Sequence, residues 1–422
     1  MMKGEKMAKS NKRIVYGLIL SCWLVYTLSM CLKMAYSASM AEIKDEYGVN
    51  NVTASLPLTL YYVFYAIIQF SLALFMTKIN LKLYMGITFT VSGLSFISIF
   101  FYSPVWYIGS VLVVNGITLG AVWCGSVLIF AKYLSPSVMN KALLFMGAGF
   151  SVGSAMSFAI SSLAISLGNW RISFLIFGIA FLLSTFYMLY AVIRAEKAGL
   201  QPDEESVSVK KQTYKATKIS AKPLLIMAII SVFFASILYY GFTNWMPTIL
   251  KNNFGIANAK ATLITTLFPI VVYLGPVLSA VLVDKVKNDF AISVATAVAI
   301  SVVGLVLCYV FRLNIVLTVA VILVLGIMLR LVNNLFACLI PLHIKDYINA
   351  GKTSAVVNAS ACASAAISPF LIAFILDESG NDWKLLFFVL FGFSLVMLAI
   401  CCVFLIADGV KRKKTKIINN VD

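Results

Sequence analysis

The amino-acid sequence predicts an all-α membrane protein, with twelve transmembrane helices arranged as two pseudo-symmetric six-helix bundles. Three observations lead there. The chain of 422 residues is 61% hydrophobic and only 12% charged, with a mean hydropathy of +0.97; a soluble domain carries about 25% charged residues. Its apolar residues form uninterrupted runs, whereas the strands of a membrane barrel would alternate. The one long polar run in the interior, from Arg194 to Lys222, has about six such apolar runs on each side.

That polar run holds Lys197, Lys210, Lys211, Lys215, Lys218 and Lys222, with an acidic patch at Asp203, Glu204 and Glu205. Such a composition cannot bury enough apolar surface to offset chain entropy, so it is expected to be a solvated linker. The predicted organisation is a six-helix bundle over 1–193, a cytoplasmic linker over 194–222, and a second bundle over 223–422 that ends in a basic cytoplasmic tail.

Spans are expected near 14–40, 55–76, 84–101, 107–131, 142–165 and 172–193, then 223–250, 261–283, 290–311, 315–341, 353–376 and 385–407. Each is long enough for a tilted helix of about 17–25 apolar residues. Lys3, Lys6, Lys9, Lys12 and Arg13 resemble the positive start of a leader peptide. The apolar stretch that follows, from Ile14 to about Met40, exceeds the roughly 7–15 residues of a leader core, so it is expected to remain as span 1.

The net charge of +17 does not indicate nucleic acid, because the basic residues gather in short loops and at the chain ends, where anionic membrane lipid attracts them. With the amino terminus inside, 25 of the 33 Lys and Arg lie on cytoplasmic segments, and six (Lys44, Arg171, Lys251, Lys260, Arg312 and Lys384) lie outside. This asymmetry predicts a multi-pass protein of the cytoplasmic membrane with both termini cytoplasmic. The eight cysteines fall inside spans without zinc-type spacing, so they read as small packing residues and no metal or cofactor is expected.

The halves repeat. Gly168-Asn169-Trp170-Arg171 precedes span 6, with Phe174 following; Gly380-Asn381-Asp382-Trp383-Lys384 precedes span 12, with Phe387 following. Gly116-Ile117-Thr118-Leu119-Gly120 in span 4 corresponds to Gly326-Ile327-Met328-Leu329-Arg330 in span 10. Thr77-Lys78-Ile79 after span 2 corresponds to Asp284-Lys285-Val286 after span 8. Matches in the same order, each offset by half the chain, indicate duplication.

These features resemble the major facilitator superfamily over essentially the whole chain. The resemblance implies the major facilitator fold, two bundles that rock around a central cavity. Spans 1, 2, 4, 5, 7, 8, 10 and 11 would line that cavity, and spans 3, 6, 9 and 12 would face lipid. The superfamily's loop after span 2 usually reads Gly-x-x-x-Asp-Arg, whereas this chain has Thr77-Lys78 and no acid. Asp284-Lys285 keeps the pattern better. Gating by Lys78, Asp284 and Lys285 is therefore expected to lean on the second half.

A narrower resemblance is to the organic-anion branches, the organophosphate antiporters and related anion symporters. Lys33 and Tyr36 match the places of an anion-binding arginine and an aromatic residue in span 1 of that group. Tyr239-Tyr240-Gly241 and Trp245-Met246-Pro247-Thr248 match a span 7 pattern of the antiporters. Tyr239 stands where they carry arginine, so the resemblance does not carry a substrate identity across.

Lys33 and Arg330 are basic residues within spans, and every acidic residue lies outside the apolar cores or at their edges. A Lys or Arg at a helix centre costs about 2.5–3.5 kcal/mol on insertion scales, so such residues usually face a cavity. Lys33 could instead snorkel to the interface, and Arg330 could hold backbone carbonyls at a helix break. Together they suggest a cationic cavity for an anion. Asn333 and Asn334 share a helix face with Arg330. Further candidates for substrate contact are Tyr61, Tyr62, Tyr65, Trp123, Tyr239, Tyr240 and Asn358, although each aromatic suits core packing equally well. Gly147, Gly149, Gly153 and Ser154, and the small residues of Ala359–Ala366, allow close helix packing. His343, the sole histidine, reads as structural, and no phosphate-cradling loop, metal cluster or Ser-His-Asp set is present to suggest an enzyme.

The expectation is a monomeric secondary active transporter of a small organic anion, working by exchange or electrogenic uptake. A carrier of neutral or cationic solutes, such as a drug exporter, is the alternative. In the superfamily this chain resembles, such exporters usually carry a membrane carboxylate or an arginine three residues before the Gln-Gly of span 4, where this chain has Leu112 before Asn115-Gly116. A receptor-like membrane protein without transport is the third possibility.

Overall fold

The computed structural model describes residues 2–75, 79–200, 218–285, 289–339 and 350–418. These residues form helices and short connections, with no strand among them. Twelve of the helices are long and apolar enough to cross a membrane. Spans 1 to 6 are Lys12–Tyr47, Asn51–Gln69, Leu81–Phe101, Val105–Tyr133, Pro136–Ser166 and Arg171–Lys197. Spans 7 to 12 are Lys222–Phe254, Asn258–Leu282, Phe290–Val310, Ile315–Ala337, Val356–Glu378 and Trp383–Ala407.

All twelve expected spans are present, and the main differences are at their ends. Span 1 continues to Tyr47 because Glu42, Lys44 and Glu46 end the apolar run without ending the helix; these residue types are good helix formers. Span 5 starts at Pro136, whose missing N–H and fixed φ suit the first turn.

The repeated Gly-Asn turns share a left-handed glycine and the backbone bond that follows it, and they differ in that Asn381 is also left-handed, at φ +65°. Gly168 has φ +78° and Gly380 has φ +64°. Asn169 N–H donates to Ala164 O at 3.1 Å, and Asn381 N–H donates to Leu376 O at 2.6 Å, five residues back in each case. Spans 5 and 11 thus end in the same glycine-capped turn, which accepts a left-handed residue only cheaply as glycine.

The chain divides into two compact units. The first comprises Met1–Lys210 with Ala257–Ile270, and the second comprises Lys211–Ile256 with Val271–Asp422. The start of span 8 belongs to the first unit through its own bonds: Thr262 Oγ1 donates to Ala38 O at 3.1 Å, and Ser162 Oγ donates to Ala259 O at 2.7 Å.

Within each unit, corresponding helices pack in corresponding pairs. Spans 1 and 5, 2 and 4, and 3 and 6 pair in the first unit; spans 7 and 11, 8 and 10, and 9 and 12 pair in the second. Lipid-like surroundings give no hydrophobic drive between helices, so close packing and hydrogen bonds must hold them. Glycines supply the first: a Cβ on Gly153 would overlap the Thr27 carbonyl, and one on Gly116 would lie 2.5 Å from Tyr61 O. Serines supply the second. Ser360, Ser364 and Ser368 of span 11 donate to Ile229 O, Phe233 O and Ile237 O of span 7 at 2.8, 2.8 and 2.7 Å.

Three spans are interrupted. Span 4 breaks at Gly120-Ala121 and span 8 breaks at Thr266 and at Val272-Tyr273. Span 10 passes from an α-helix over Ile315–Asn334 into a π-helical turn over Leu335–Leu339. Such turns often sit beside functional residues, and this one directly follows Asn333 and Asn334.

Candidate functional site

The first unit surrounds Lys33 with tyrosine. Lys33 is 6% exposed, and its ammonium lies 5.0 Å from the ring centroid of Tyr62 and 5.4 Å from that of Tyr65. Both rings come from one face of span 2 because they are three residues apart on a helix. Tyr61 stacks on Tyr65 at 5.8 Å and meets Tyr62 edge-on at 5.3 Å. A cation over a ring face gains about 0.5–1 kcal/mol when exposed and about 2 when desolvated, so the cage lowers the cost of a charge in this span.

Tyr36, also taken from the anion-branch resemblance, is fully buried, and its hydroxyl donates to Ala54 O at 2.7 Å. It ties span 1 to the start of span 2. Trp123 of span 4 meets Tyr26 edge-on at 5.1 Å. Trp23 stacks on Phe145 of span 5 at 5.0 Å. Neither Trp23 nor Tyr26 was an expected site residue. Their spacing to Lys33 along span 1 is the signal: 23, 26 and 33 fall on one helical face. Gly149 lets span 5 approach that face, since a Cβ there would lie 3.1 Å from Tyr26 and 3.3 Å from Trp23 Nε1.

The second unit repeats the theme with Arg330, which is half-buried. Its guanidinium carbon lies 5.3 Å from the ring centroid of Tyr239, which in turn meets Tyr240 edge-on at 5.4 Å. Tyr239 occupies the position where the resembled branch has arginine, and here it faces an arginine from span 10.

Asn333 Nδ2 donates to Ser236 Oγ of span 7 at 3.2 Å, and Asn334 Nδ2 donates to Ser279 Oγ of span 8 at 2.7 Å. These bonds fix the face that carries Arg330 against two neighbouring spans. Ser236 and Ser279 were not expected site residues. Asn358 of span 11 is exposed, with a weak contact to Cys362 Sγ at 4.0 Å and nothing that draws it to Arg330.

Of the expected gating residues, Lys78 lies outside the described residues, as do His343 and 201–217 of the linker. Asp284 and Lys285 close the helix Leu274–Lys285. A charged cluster that the sequence reading did not anticipate lies in the first unit. Glu196 of span 6 meets Lys82 Nζ at 2.7 Å and Lys132 Nζ at 3.6 Å, and Tyr133 O–H donates to it at 3.1 Å.

Each unit therefore presents an in-span cation held over tyrosine rings. Among the described residues no group of His, Cys, Asp and Glu could hold a metal ion. The arrangement suits binding and release of a polar solute within a membrane.

Known proteins point the same way. The model of the Major Facilitator Superfamily matches residues 22–349. The cis,cis-muconate transport protein of Acinetobacter baylyi (strain ATCC 33305 / BD413 / ADP1) is 22% identical over 176 residues, which is 41% of this chain. That match spans 43% of the relative's own length. A bacterial homolog of the human lysosomal transporter Spinster, solved in an inward-facing and occupied conformation, superposes with a TM-score of 0.73 at 12% identity. That superposition covers 92% of this chain and 96% of the homolog. A D-xylose-proton symporter superposes with a TM-score of 0.70 at 12% identity, covering 92% of this chain and 97% of its own. The family match, the twelve spans and the shared fold together establish that this chain belongs to the Major Facilitator Superfamily and is a multi-pass integral membrane protein.

Proposed function

We propose that the protein carries a small organic anion across the cytoplasmic membrane by rocker-switch alternating access. The anion draws on Lys33 from the first unit and Arg330 from the second in the course of the cycle. The observation that carries this reading is the pair of in-span cations, one per unit, each over tyrosine. Retaining two such charges is costly unless a ligand of opposite charge uses them. Carboxylates are the leading substrate class, because a planar guanidinium holds a carboxylate through two parallel hydrogen bonds. The partly matching relative is named for a dicarboxylate, which supports the same class. Both termini lie in the cytoplasm, the protein works as a monomer, and transport proceeds by exchange or electrogenic uptake.

The test is binding of cis,cis-muconate, gluconate and glycerol 3-phosphate to purified protein, read as a rise in melting temperature. Arg330→Gln and Lys33→Gln should each weaken binding of the active ligand by roughly tenfold to a hundredfold while melting near the wild-type temperature. Unchanged affinity in both neutral variants would end the organic-anion reading.

A further inference from the structure

The cluster around Glu196 lines a cavity of about 500 Å3 in the first unit. Spans 3, 4 and 6 enclose it, so it contains neither Lys33 nor Arg330. Its polar wall is Asn80, Lys82, Lys132, Tyr133 and Glu196, and its apolar wall includes Met85, Ile129, Met188 and Leu189.

The charges do not cancel. One carboxylate serves two ammonium groups, which leaves the wall with a net positive charge. Each ammonium has three donors; Lys82 donates one to Glu196 at 2.7 Å, whereas Lys132 pairs with it more loosely at 3.6 Å. Lys132 is 65% exposed and Lys82 is 38% exposed, so an incoming anion can reach both.

The same helices are apolar elsewhere on their surface. Leu83 and Ile87 of span 3, and Phe186 and Tyr190 of span 6, are exposed large side chains outside the cavity lining. They follow helical spacing and form stripes along both helices. An occupant with a phosphate at one end and hydrocarbon at the other would match both walls. A soluble anion would use the lysines and leave the apolar wall wet.

We propose that this cavity binds the headgroup of an anionic phospholipid, with the phosphate between Lys82 and Lys132 and the acyl chains along spans 3 and 6. The net positive charge favours an anionic headgroup over a zwitterionic one. This site is independent of the substrate reading, since it uses different residues and a different ligand.

The test is retention of phosphatidylglycerol by the purified full chain, counted by native mass spectrometry against phosphatidylcholine, with melting temperature followed in parallel. The wild type should keep phosphatidylglycerol preferentially and melt higher with it. A lysine near a charged lipid surface is worth about 1 kcal/mol, so Lys132→Gln should weaken retention about fivefold. Lys132→Arg should restore it. Glu196→Gln should strengthen retention by removing the opposing charge. Lys82→Gln also removes the closer partner of Glu196, so its melting temperature in phosphatidylcholine reports folding separately. Equal retention of both lipids by the wild type would overturn the proposal, as would unchanged retention in Lys132→Gln. An equal thermal shift with glycerol 3-phosphate, which lacks acyl chains, that is lost in Lys132→Gln but kept in Arg330→Gln would make this a soluble-anion site and overturn the lipid assignment.

Discussion

Gly275 presses directly on Arg330. A methyl group at Gly275 would lie 2.8 Å from Arg330 Cβ and 2.6 Å from Ile327 O. Real Cβ contacts do not occur that close, so the glycine permits span 8 to run against span 10 at the point where Arg330 leaves its helix. Gly275→Ala should push the two spans apart and move the guanidinium away from Tyr239. Overpacking of this kind costs about 1–3 kcal/mol, and the anion should bind more weakly as well. Gly392→Ala is the control, since a Cβ there meets nothing within 4 Å. The control should leave binding unchanged and melt at or slightly above the wild-type temperature.

The serine ladder between spans 7 and 11 gives a second expectation. Ser360, Ser364 and Ser368 each bond a carbonyl 131 residues earlier in the chain. Interhelical hydrogen bonds in membranes average about 0.6 kcal/mol. Each Ser→Ala change should therefore lower stability by that order, and the triple change should approach the sum. Denaturant titration in detergent measures it. A loss confined to one serine would show that the ladder does not act as a unit.

How much was legible beforehand follows from which signals are local. The twelve spans rest on runs of apolar residues, and Trp170 and Trp383 reported duplication because each comes shortly after a Gly-Asn turn whose glycine is left-handed. Tyr62 and Tyr65 were candidates as aromatic residues of a span expected to line the cavity, and their three-residue spacing places them on one helical face. The Glu196 cluster was not legible, because Lys82 and Glu196 are separated by 114 residues and meet only once spans 3 and 6 pair. Tyr36 shows a different limit. Its identity matched a resemblance, but the Ala54 carbonyl that takes its hydroxyl is a backbone atom that no sequence pattern marks. The π-helical turn after Asn334 is likewise a backbone event inside an unbroken apolar run.

At the end of span 1, Glu46 accepts from Trp170 Nε1 at 2.6 Å and from both terminal nitrogens of Arg171, whose Nε donates to Ser103 Oγ at 2.6 Å. This network ties span 1 to the start of span 6 and to the turn after span 3. Glu46→Gln keeps the shape but removes the charge. The pair is partly exposed, so the expected loss is only about 1 kcal/mol, seen as a lower melting temperature with anion affinity unchanged. A matching fall in affinity would contradict a purely structural role.

The two in-span cations should respond differently to substitutions that keep their charge. Arg330 offers a planar fork that can hold both oxygens of a carboxylate, whereas Lys33 offers a compact point charge beneath two rings. Arg330→Lys replaces the fork with one ammonium, so it should weaken carboxylate binding by about tenfold, the equivalent of one charge-assisted hydrogen bond at about 1.5 kcal/mol. Lys33→Arg keeps the charge, and guanidinium groups also stack on aromatic faces, so binding should fall by less than about threefold. Tyr62→Phe should be nearly silent because the ring remains, and Tyr62→Leu should cost affinity together with Lys33. Equilibrium binding of the same carboxylate to all four variants, each checked for an unchanged melting temperature, decides the matter. If Arg330→Lys binds as well as the wild type while Lys33→Arg does not, the fork belongs to Arg330 in shape only, and Lys33 is the residue that recognises the anion.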